Sequence, residues 1–180
     1  MEKWVLGKLK DVKTIATLGI LLAIGIALKF VASIDIGPYI RIGFSEIPTL
    51  VSGTLFGPVI GAVFGAVLDI IRFFVTPQSG AFFPGFTLSS ALLGMVYGLI
   101  LYKKEITWVR VLFAELTRKI FINIGLNSLW LKIMYDQAVM AMLPARMIKN
   151  LIMLPIDVVI SYFLLTWITR AYKYVGREIQ

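Results

Sequence analysis

Four residues in the C-terminal third of the chain have the spacing of one helical face, and the polar ones among them suit an anionic ligand. Arg146, Asn150, Met153 and Asp157 follow i, i+4, i+7 and i+11, which aligns them along an α-helix. They lie with Lys149 in the otherwise apolar stretch LPARMIKNLIMLPIDVVI. A polar stripe inside such a helix normally faces protein or a water-filled cavity, and cations recognise carboxylates. Snorkelling toward lipid headgroups is the alternative for Lys149, whereas for Arg146 we favour a binding site.

Two further apolar stretches carry polar residues at a similar depth. In PVIGAVFGAVLDIIRFFV, Asp69 and Arg72 are i, i+3 neighbours, and they form either an internal ion pair or part of a ligand site. The apolar stretch at residues 106–130 carries the amides Asn123 and Asn127 and the indole of Trp130. These three side chains fall close to one helical face, toward the outer end of the stretch. Amides and an aromatic ring are suited to lining a pocket for a small molecule.

Further charges occupy the inner parts of these stretches: Glu115, Arg118, Lys119 and Asp157. Each ionised group at the middle of a bilayer costs about 2.5–3.5 kcal/mol on insertion scales, so we expect these groups to have partners. Glu115 and Lys119 are i, i+4 neighbours, and they are expected to neutralise each other or to pair with Asp157. The sequence leaves the partner of Arg118 open.

The composition shows which class of protein holds these groups. Hydrophobic residues make up 59% of the 180 residues and charged residues 16%, and the mean hydropathy is +0.88. A soluble domain carries about 25% charged residues, so we expect an integral membrane protein. The absence of cysteine and histidine excludes disulfides and catalysis or zinc ligation by these residues. We expect no enzyme activity, no metal and no cofactor, and no separate basic domain indicates binding of nucleic acid.

Apolar runs of about 20 residues predict membrane-spanning helices. Six segments fit, the second of them short, and they cover residues 14–33, 47–56, 58–75, 86–102, 106–130 and 145–170. Six crossings place the cationic clusters before the first span, after the fourth and after the sixth on one side, which the positive-inside rule makes cytoplasmic. The prediction is an all-α integral membrane protein, a single domain (1–180) of six transmembrane helices with both termini cytoplasmic. Residues 1–13 form a basic lead-in and residues 171–180 a cytoplasmic tail.

In this topology the outer halves of the third, fifth and sixth spans surround a cavity that opens outward. Connecting residues are expected at its mouth: Arg41, Phe82, Phe83, Phe86 and Thr87. Cations suit a carboxylate, a carboxylate and amides suit a hydrogen-bonding heterocycle, and aromatic rings stack on flat ligands. The pattern predicts a pocket for an anionic, flat and partly aromatic solute.

Small residues form two stripes that let another helix approach closely. Gly19, Ala23 and Ala27 lie at four-residue spacing in the first span, and we expect this stripe to contact a partner subunit. A second stripe, from Gly57 to Gly65 in and before the third span, is expected to pack internally. No GxxxxGK[ST] phosphate loop occurs, so active transport would draw its energy from a gradient or from another subunit.

Several stretches resemble a known family. RIGFSEIPTLVSGTLFGPVIGAVFGAVLDII resembles the early membrane region of S-components, the substrate-binding subunits of energy-coupling factor (ECF) vitamin transporters. FFPGFTLSSALLGMVYGLI, LNSLWLKIMY and LPARMIKNLIMLPI are similar to the folate-specific FolT branch. The resemblance covers roughly residues 14–168. It implies a six-helix S-component in a bacterial cell membrane, which captures folate from outside with high affinity. The implied partners are a membrane scaffold subunit, which would meet the stripe of the first span, and two ATPases that use the ATP.

The pocket residues acquire roles if the ligand is folate. The predicted ligand-binding set is Arg146, Lys149, Asp69, Arg72, Trp130, Asn127, Asn150, Phe86, Thr87 and Arg41. Arg146 and Lys149 would bind the glutamate tail, and Arg72 would serve either that tail or Asp69. Asp69 would accept hydrogen bonds from the pterin, with an amide of Asn127 or Asn150 beside it, and aromatic rings would stack on the ligand. Asp136 departs from the small residue expected after LNSLWLKIMY.

Two alternatives remain at this stage. One is an S-component for another vitamin, such as thiamin or riboflavin, although a cationic vitamin would be poorly matched to Arg146 and Lys149. The other is a gradient-driven carrier in which Asp69 or Asp157 relays protons. Uptake by the chain alone would favour the carrier, whereas dependence on ATP and separate subunits would favour the ECF assignment.

Overall fold

The computed structural model describes residues 11–31, 33–36, 40–75, 82–135 and 138–177. The elements are α1 (Val12–Val31), β1 (Ser33–Ile36), β2 (Ile40–Gly43), α2 (Ile47–Phe56), α3 (Pro58–Val75), α4 (Pro84–Leu101), α5 (Trp108–Thr117), a π-helical segment (Arg118–Leu126), α6 (Asn127–Tyr135) and α7 (Ala138–Arg177). Because α5, the π-helical segment and α6 follow one another directly, they make one helical unit. The described residues therefore contain six helical units, as predicted.

Among the described residues, four helical stretches are long and apolar enough to cross a membrane: α1, α3, α4 and residues Leu143–Tyr172 of α7. The α2 helix is apolar but has only ten residues, which is a length of about 15 Å against a hydrocarbon core of about 30 Å. The α2 helix is therefore too short to cross a membrane by itself. In the turn before it, Ser45 is buried and Phe44 and Glu46 are half-buried, so this turn packs against the bundle.

The connection between the first two helices contains a short antiparallel strand pair, which the all-α prediction did not include. β1 and β2 pair with Ser33 opposite Gly43 and Asp35 opposite Arg41. The sequence carries the signal for it, because apolar and polar residues alternate in SIDI and IRIG, and this period of two is typical of strands. The side chain of Arg41 lies outside the described residues.

The α3 and α4 helices pack so closely that only glycine fits at their contact. A Cβ added at Gly94 would lie 1.9 Å from the carbonyl oxygen of Gly61, and one at Gly65 would lie 2.1 Å from that of Ser90. Gly57, at φ +96° in the turn between α2 and α3, adopts the left-handed conformation that favours glycine. The prediction that this stripe packs internally is confirmed.

The boundaries of four of the six predicted spans differ from the observed helices, and the difference is largest for the last one. α7 begins at Ala138 and continues to Arg177 with Pro144 and Pro155 inside it, whereas the prediction was 145–170. Proline is tolerated inside membrane helices because neighbouring groups compensate for its missing donor. Arg146 therefore lies more than two turns inside α7 rather than at the entrance of a helix.

The α4 helix also begins earlier than predicted, with Pro84 in its first turn, a position that suits the fixed φ of proline. Phe86 and Thr87, expected in a connection, thus belong to the start of this helix. The core is apolar and lies mainly between α2, α3 and α4, where Phe56, Leu68 and Tyr97 are almost completely buried. This packed half of the bundle supports α5 to α7, which carry most of the polar groups.

Candidate ligand-binding site

Four buried or nearly buried charges form a charge network between the unit α5–α6 and α7, consisting of Glu115, Arg118, Lys119 and Asp157. Arg118 Nε is 2.7 Å from Glu115 Oε2, and Arg118 Nη2 is 2.5 Å from Asp157 Oδ2. Lys119 Nζ is 2.6 Å from the same Asp157 oxygen. Lys119 thus pairs with Asp157, which is one of the two arrangements that the sequence predicted. Arg118 lies between the two carboxylates and is the ion-pair partner of Glu115 as well as of Asp157. Two cations and two carboxylates leave the network formally neutral.

Neutral hydroxyls complete the hydrogen bonding of the deepest carboxylate. Glu115 is 1% exposed, and its Oε1 accepts hydrogen bonds from the Tyr97 hydroxyl at 3.2 Å and from the Ser161 hydroxyl at 3.0 Å. Its other oxygen accepts from Arg118. A buried ion pair is stable only when its remaining lone pairs are also satisfied, and here α4, the π-helical segment and α7 each supply a partner. The charge network is therefore an internal support of the bundle.

The π-helical segment starts at the charge network. Arg118 and Lys119 are consecutive, yet both donate to the same oxygen of Asp157, and the wider turn of a π-helix keeps consecutive side chains closer to one face. Such segments are rare and occur frequently at functional sites. The pattern of hydrophobic residues did not reveal this segment, because the sequence analysis treated residues 106–130 as a regular span.

An outer polar cluster lies one to two helical turns beyond the charge network, and it comprises Asn123, Asn127, Arg146, Lys149 and Asn150. Asn123 Nδ2 donates to Asn150 Oδ1 at 3.4 Å, and Arg146 Nη2 donates to the backbone oxygen of Asn123 at 3.2 Å. Asn150 is 5% exposed. The structure thus confirms that Arg146, Asn150 and Asp157 share the face of α7 that meets the fifth helical unit.

Polar atoms without partners concentrate in and beside this cluster. Among the described residues, the buried side-chain atoms that make no hydrogen bond are Asn127 Oδ1, Ser128 Oγ, Arg146 Nη1 and Thr166 Oγ1. Leaving such a group unpaired costs roughly 1–3 kcal/mol. An acceptor on Asn127 and a donor on Arg146 are therefore available to a ligand that brings a donor and an anionic acceptor.

Aromatic rings adjoin the outer polar cluster through Trp130. Its Nε1 donates to the hydroxyl of Ser89 at 3.0 Å, and the ring centroids of Phe83 and Trp130 are 5.8 Å apart. Phe83 also contacts Phe86, at 6.1 Å between centroids. A Cβ added at Gly85 would lie 2.7 Å from Trp130, so glycine permits this contact. Ser89 and Gly85 were missing from the predicted set, because neither residue type signals a contact with an indole.

Asp69 lies in a different place from the aromatic group. It accepts a hydrogen bond from the hydroxyl of Thr87 at 2.8 Å, which joins α3 to α4. Thr87 and Ser89 are two residues apart and so point about 200° apart around α4, with Ser89 directed at Trp130. The structure therefore brings Asp69 and Thr87 together but places them on the side of α4 away from the indole contact.

Arg72 is 8% exposed and donates to backbone oxygens of two other segments. Its Nε and Nη2 lie 3.1 and 2.8 Å from the carbonyl oxygen of Gly25 in α1, and Nη2 also donates to the carbonyl oxygen of Ser45. Sequence reasoning offered only a carboxylate or a ligand as its partner, because the fold alone determines which carbonyl groups face an arginine. Asp136 lies outside the described residues.

A small, partly open cavity of about 20 Å³ lies between the charge network and the turn that precedes α2. Its lining consists of Phe44, Glu46, Ile47, Tyr97, Glu115, Arg118, Asp157, Ile160 and Ser161. The residues of the outer polar cluster are not part of this lining. The nearest link is Asp157, whose partner Lys119 is one turn from Asn123. Phe44 and Glu46 were not predicted, because the sequence analysis placed the connection before α2 outside the membrane.

The stripe Gly19, Ala23 and Ala27 differs from the glycines of α3. All three residues are exposed on α1, and nothing lies within 4 Å of a Cβ added at Gly19. The described part of the chain therefore leaves this face of α1 uncovered, in agreement with the expectation that the stripe does not pack internally.

These features define a multi-pass helical membrane protein with a polar, aromatic-flanked site between its later helices. Residues 13–165 match the family model described as "ECF transporter, substrate-specific component". This match spans most of the chain, and the chain therefore belongs to the family of substrate-specific components (S-components) of ECF transporters, a class of transport proteins rather than of enzymes.

Individual relatives agree with this assignment. The chain is 38% identical over 125 residues, covering 69% of its length and 72% of the relative, to the folate transporter FolT of Clostridium novyi. It is 36% identical over 169 residues to the folate transporter FolT of Leuconostoc mesenteroides, with 90% of this chain and 89% of that protein covered. A crystal structure of FolT bound with folic acid superimposes with a TM-score of 0.80 at 37% identity, covering 87% of this chain and 94% of the other.

Proposed function

We propose that this protein is the folate-binding S-component of an ECF transporter and captures folate from the outer side of a bacterial plasma membrane. The observation that carries the proposal is the outer polar cluster, with an unpaired Arg146 Nη1 and an unpaired Asn127 Oδ1 next to Trp130. Folate combines carboxylates, N–H donors and flat rings, and so complements each of these groups. The relatives named folate transporters support the same ligand.

We assign the following roles to the residues of the site. Arg146 and Lys149 bind the carboxylates of the glutamate tail, and Asn127 accepts a hydrogen bond from a donor on the ligand. Trp130 and Phe86 provide ring contacts, and Asn150 holds Asn123 in place at 3.4 Å. Asp69 and Thr87 remain candidates for the pterin end, although their mutual hydrogen bond already satisfies part of their capacity.

Titration of the purified chain with folate tests the proposal, with quenching of tryptophan fluorescence as the readout and thiamin and riboflavin as control ligands. We expect saturable one-to-one quenching by folate alone. The double substitution Arg146→Ala with Lys149→Ala should weaken folate binding, whereas Lys132→Ala, which removes an exposed cation of α6, should not. If folate binds no better than the control vitamins, the ligand assignment is wrong.

We further propose that the exposed stripe of α1 docks on a membrane scaffold subunit that carries two ATPases, with both termini of this chain cytoplasmic. Small residues allow close approach of helices, and Gly19 has open space around it. Ala27→Leu should abolish folate uptake into cells that contain the complete transporter, while folate binding to the isolated chain is unchanged. Val159→Phe, an enlargement at another exposed position, is the matched control. Uptake into vesicles that contain this chain alone would instead support a gradient-driven carrier.

A further inference from the structure

We propose that Arg72 is a positioning residue, which holds the turn before α2 against α1 and so fixes one wall of the small cavity beside the charge network. The helical units on the other side of this cavity also carry the outer polar cluster, so the position of the turn affects folate binding. The inference rests on the proposed function and assigns to Arg72 a role other than contact with the ligand. The turn consists of Phe44, Ser45 and Glu46, and Phe44 and Glu46 line the small cavity beside the charge network.

The contacts of Arg72 join three segments of the chain. From α3, its guanidinium donates twice to Gly25 in α1 and once to Ser45 in the turn. The carbonyl group of Ser45 precedes α2 and lies outside the regular helical pattern, and Ser45 is itself buried. A backbone oxygen inside a membrane protein needs a donor from the protein, because lipid supplies none. Arg72 supplies this donor to the carbonyl oxygen of Ser45. The hydrogen bond therefore holds the turn at the guanidinium.

Gly25 provides the space for this arrangement. A Cβ at this position would lie 3.2 Å from Arg72 Nη2 and 2.8 Å from Leu68 Cδ1. The residue is buried in the middle of α1, where an alanine would otherwise favour the helix. Gly25→Ala would therefore displace the guanidinium without altering any charge, which makes it an independent way to disturb the turn.

The position of the turn determines the shape of the cavity. Phe44 and Glu46 lie on one side of it, and Tyr97, Arg118 and Asp157 lie on the other. A shift of the turn changes the distance across this opening, although Arg72 itself is not among the lining residues. Arg118 and Asp157 belong to the fifth helical unit and α7, which also carry the outer polar cluster. Loss of the arginine should therefore weaken binding of the whole ligand rather than of one of its parts.

In the first experiment, the wild-type protein and the variants Arg72→Gln and Arg72→Lys are each titrated with two ligands. The ligands are folate and pteroic acid, which lacks the glutamate. We expect Arg72→Gln to weaken the binding of both by the same factor, at least roughly tenfold, since hydrogen bonds of a charged donor are lost. Arg72→Lys, which keeps a cationic donor, should recover part of the affinity, and Gly25→Ala should reproduce the equal loss.

A loss with Arg72→Gln that is large for folate and absent for pteroic acid would overturn the proposal, because it would show that Arg72 binds the tail. Unchanged affinity for both ligands would overturn it as well. The substitution Arg170→Gln, at an exposed arginine near the end of α7, is the matched control and should leave both affinities unchanged.

The second experiment needs no ligand and so separates this inference from the assignment of folate. The chain has no cysteine, so Phe44→Cys provides a single thiol in the turn whose rate of modification by a soluble maleimide reports its accessibility. We expect Arg72→Gln and Gly25→Ala to raise this rate at least severalfold, at a temperature where each protein remains folded. The thiol of Glu105→Cys, at an exposed site, should react at a rate that does not change. An unchanged rate at position 44 would refute the positioning role, even if folate binds as proposed.

Discussion

The charge network and the outer polar cluster lie on the same two helical units, one to two turns apart, yet they differ in how their polar groups are satisfied. Within the network, Asp157 accepts from Arg118 and Lys119, and Glu115 accepts from three donors. The outer polar cluster instead contains a buried donor and a buried acceptor without partners. Each region contains one arginine and one lysine, but only the charge network contains carboxylates. The acceptors therefore determine which region is structural and which is available to a ligand.

This difference has opposite consequences for stability and for binding. In the charge network, removal of one partner leaves the other charge buried and unpaired, which is far more costly than removal of both. In the outer polar cluster, removal of a side chain that lacks a partner relieves a desolvation cost. Substitutions in the first region should therefore affect folding, and substitutions in the second should affect the ligand.

The largest expected effect is that of Asp157→Ala. Arg118 and Lys119 would lose a shared acceptor in a nearly water-free environment, and breaking such a buried pair costs about 3–5 kcal/mol. We expect a sharply lower yield of folded protein and a lower thermal midpoint in detergent.

The matched control removes the charges as a pair. Lys119→Met combined with Asp157→Leu leaves Glu115 with Arg118, so the remaining charges still balance. We expect this double variant to recover much of the stability that Asp157→Ala loses. If the single variant were as stable as the wild type, the charge network would not be the internal support inferred here.

A smaller effect, and one confined to the ligand, is expected for Arg146→Met. Nη1 has no partner and Nη2 donates only to a backbone oxygen at 3.2 Å among the described contacts, so the thermal midpoint without ligand should change little. Folate affinity should fall about 10- to 100-fold, because a charge-assisted contact is worth about 1.5–3 kcal/mol. Isothermal titration calorimetry measures the affinity, and a thermal melt without folate measures the stability. If Arg146→Met lowered the thermal midpoint without changing folate affinity, Arg146 would be structural, and the contrast between the outer polar cluster and the charge network would be wrong.

The sequence predicted the features that depend on composition and periodicity. The spans follow from apolar length, and the alignment of Arg146, Asn150 and Asp157 follows from helical spacing. The internal packing of the glycines in α3 follows from their four-residue repeat and the neighbouring small residues. Each of these predictions needed only residues close together in the chain.

The remaining features depend on contacts between distant segments. The donors of Arg72 meet carbonyl groups of Gly25 and Ser45, 47 and 27 residues away, and every residue has a carbonyl group, so the sequence contains no specific signal for this partner. The turn before α2 packs Phe44 against the bundle, although the preceding connection is polar. The widened helix at Arg118 is likewise determined by the ion pairs to α7, which the spacing within residues 106–130 cannot reveal.

The smallest expected effect concerns Trp130, which lies at the edge of the outer polar cluster and whose side-chain donor, unlike Nη1 of Arg146, already has a partner. Ser89→Ala removes the acceptor of its Nε1 at 3.0 Å, and a neutral hydrogen bond contributes about 0.5–1.5 kcal/mol. We expect a few-fold loss of folate affinity and a small shift of the tryptophan emission, because the ring keeps its contact with Phe83 but loses its anchor. Trp130→Phe, which keeps a ring and removes the donor, should weaken folate binding by a similar factor when the quenching of the remaining tryptophans or calorimetry is the readout. If Trp130→Phe were much more harmful than Ser89→Ala, the indole would contact the ligand through more than its ring face, and the donor of Trp130 would belong with the unpaired groups of the outer polar cluster.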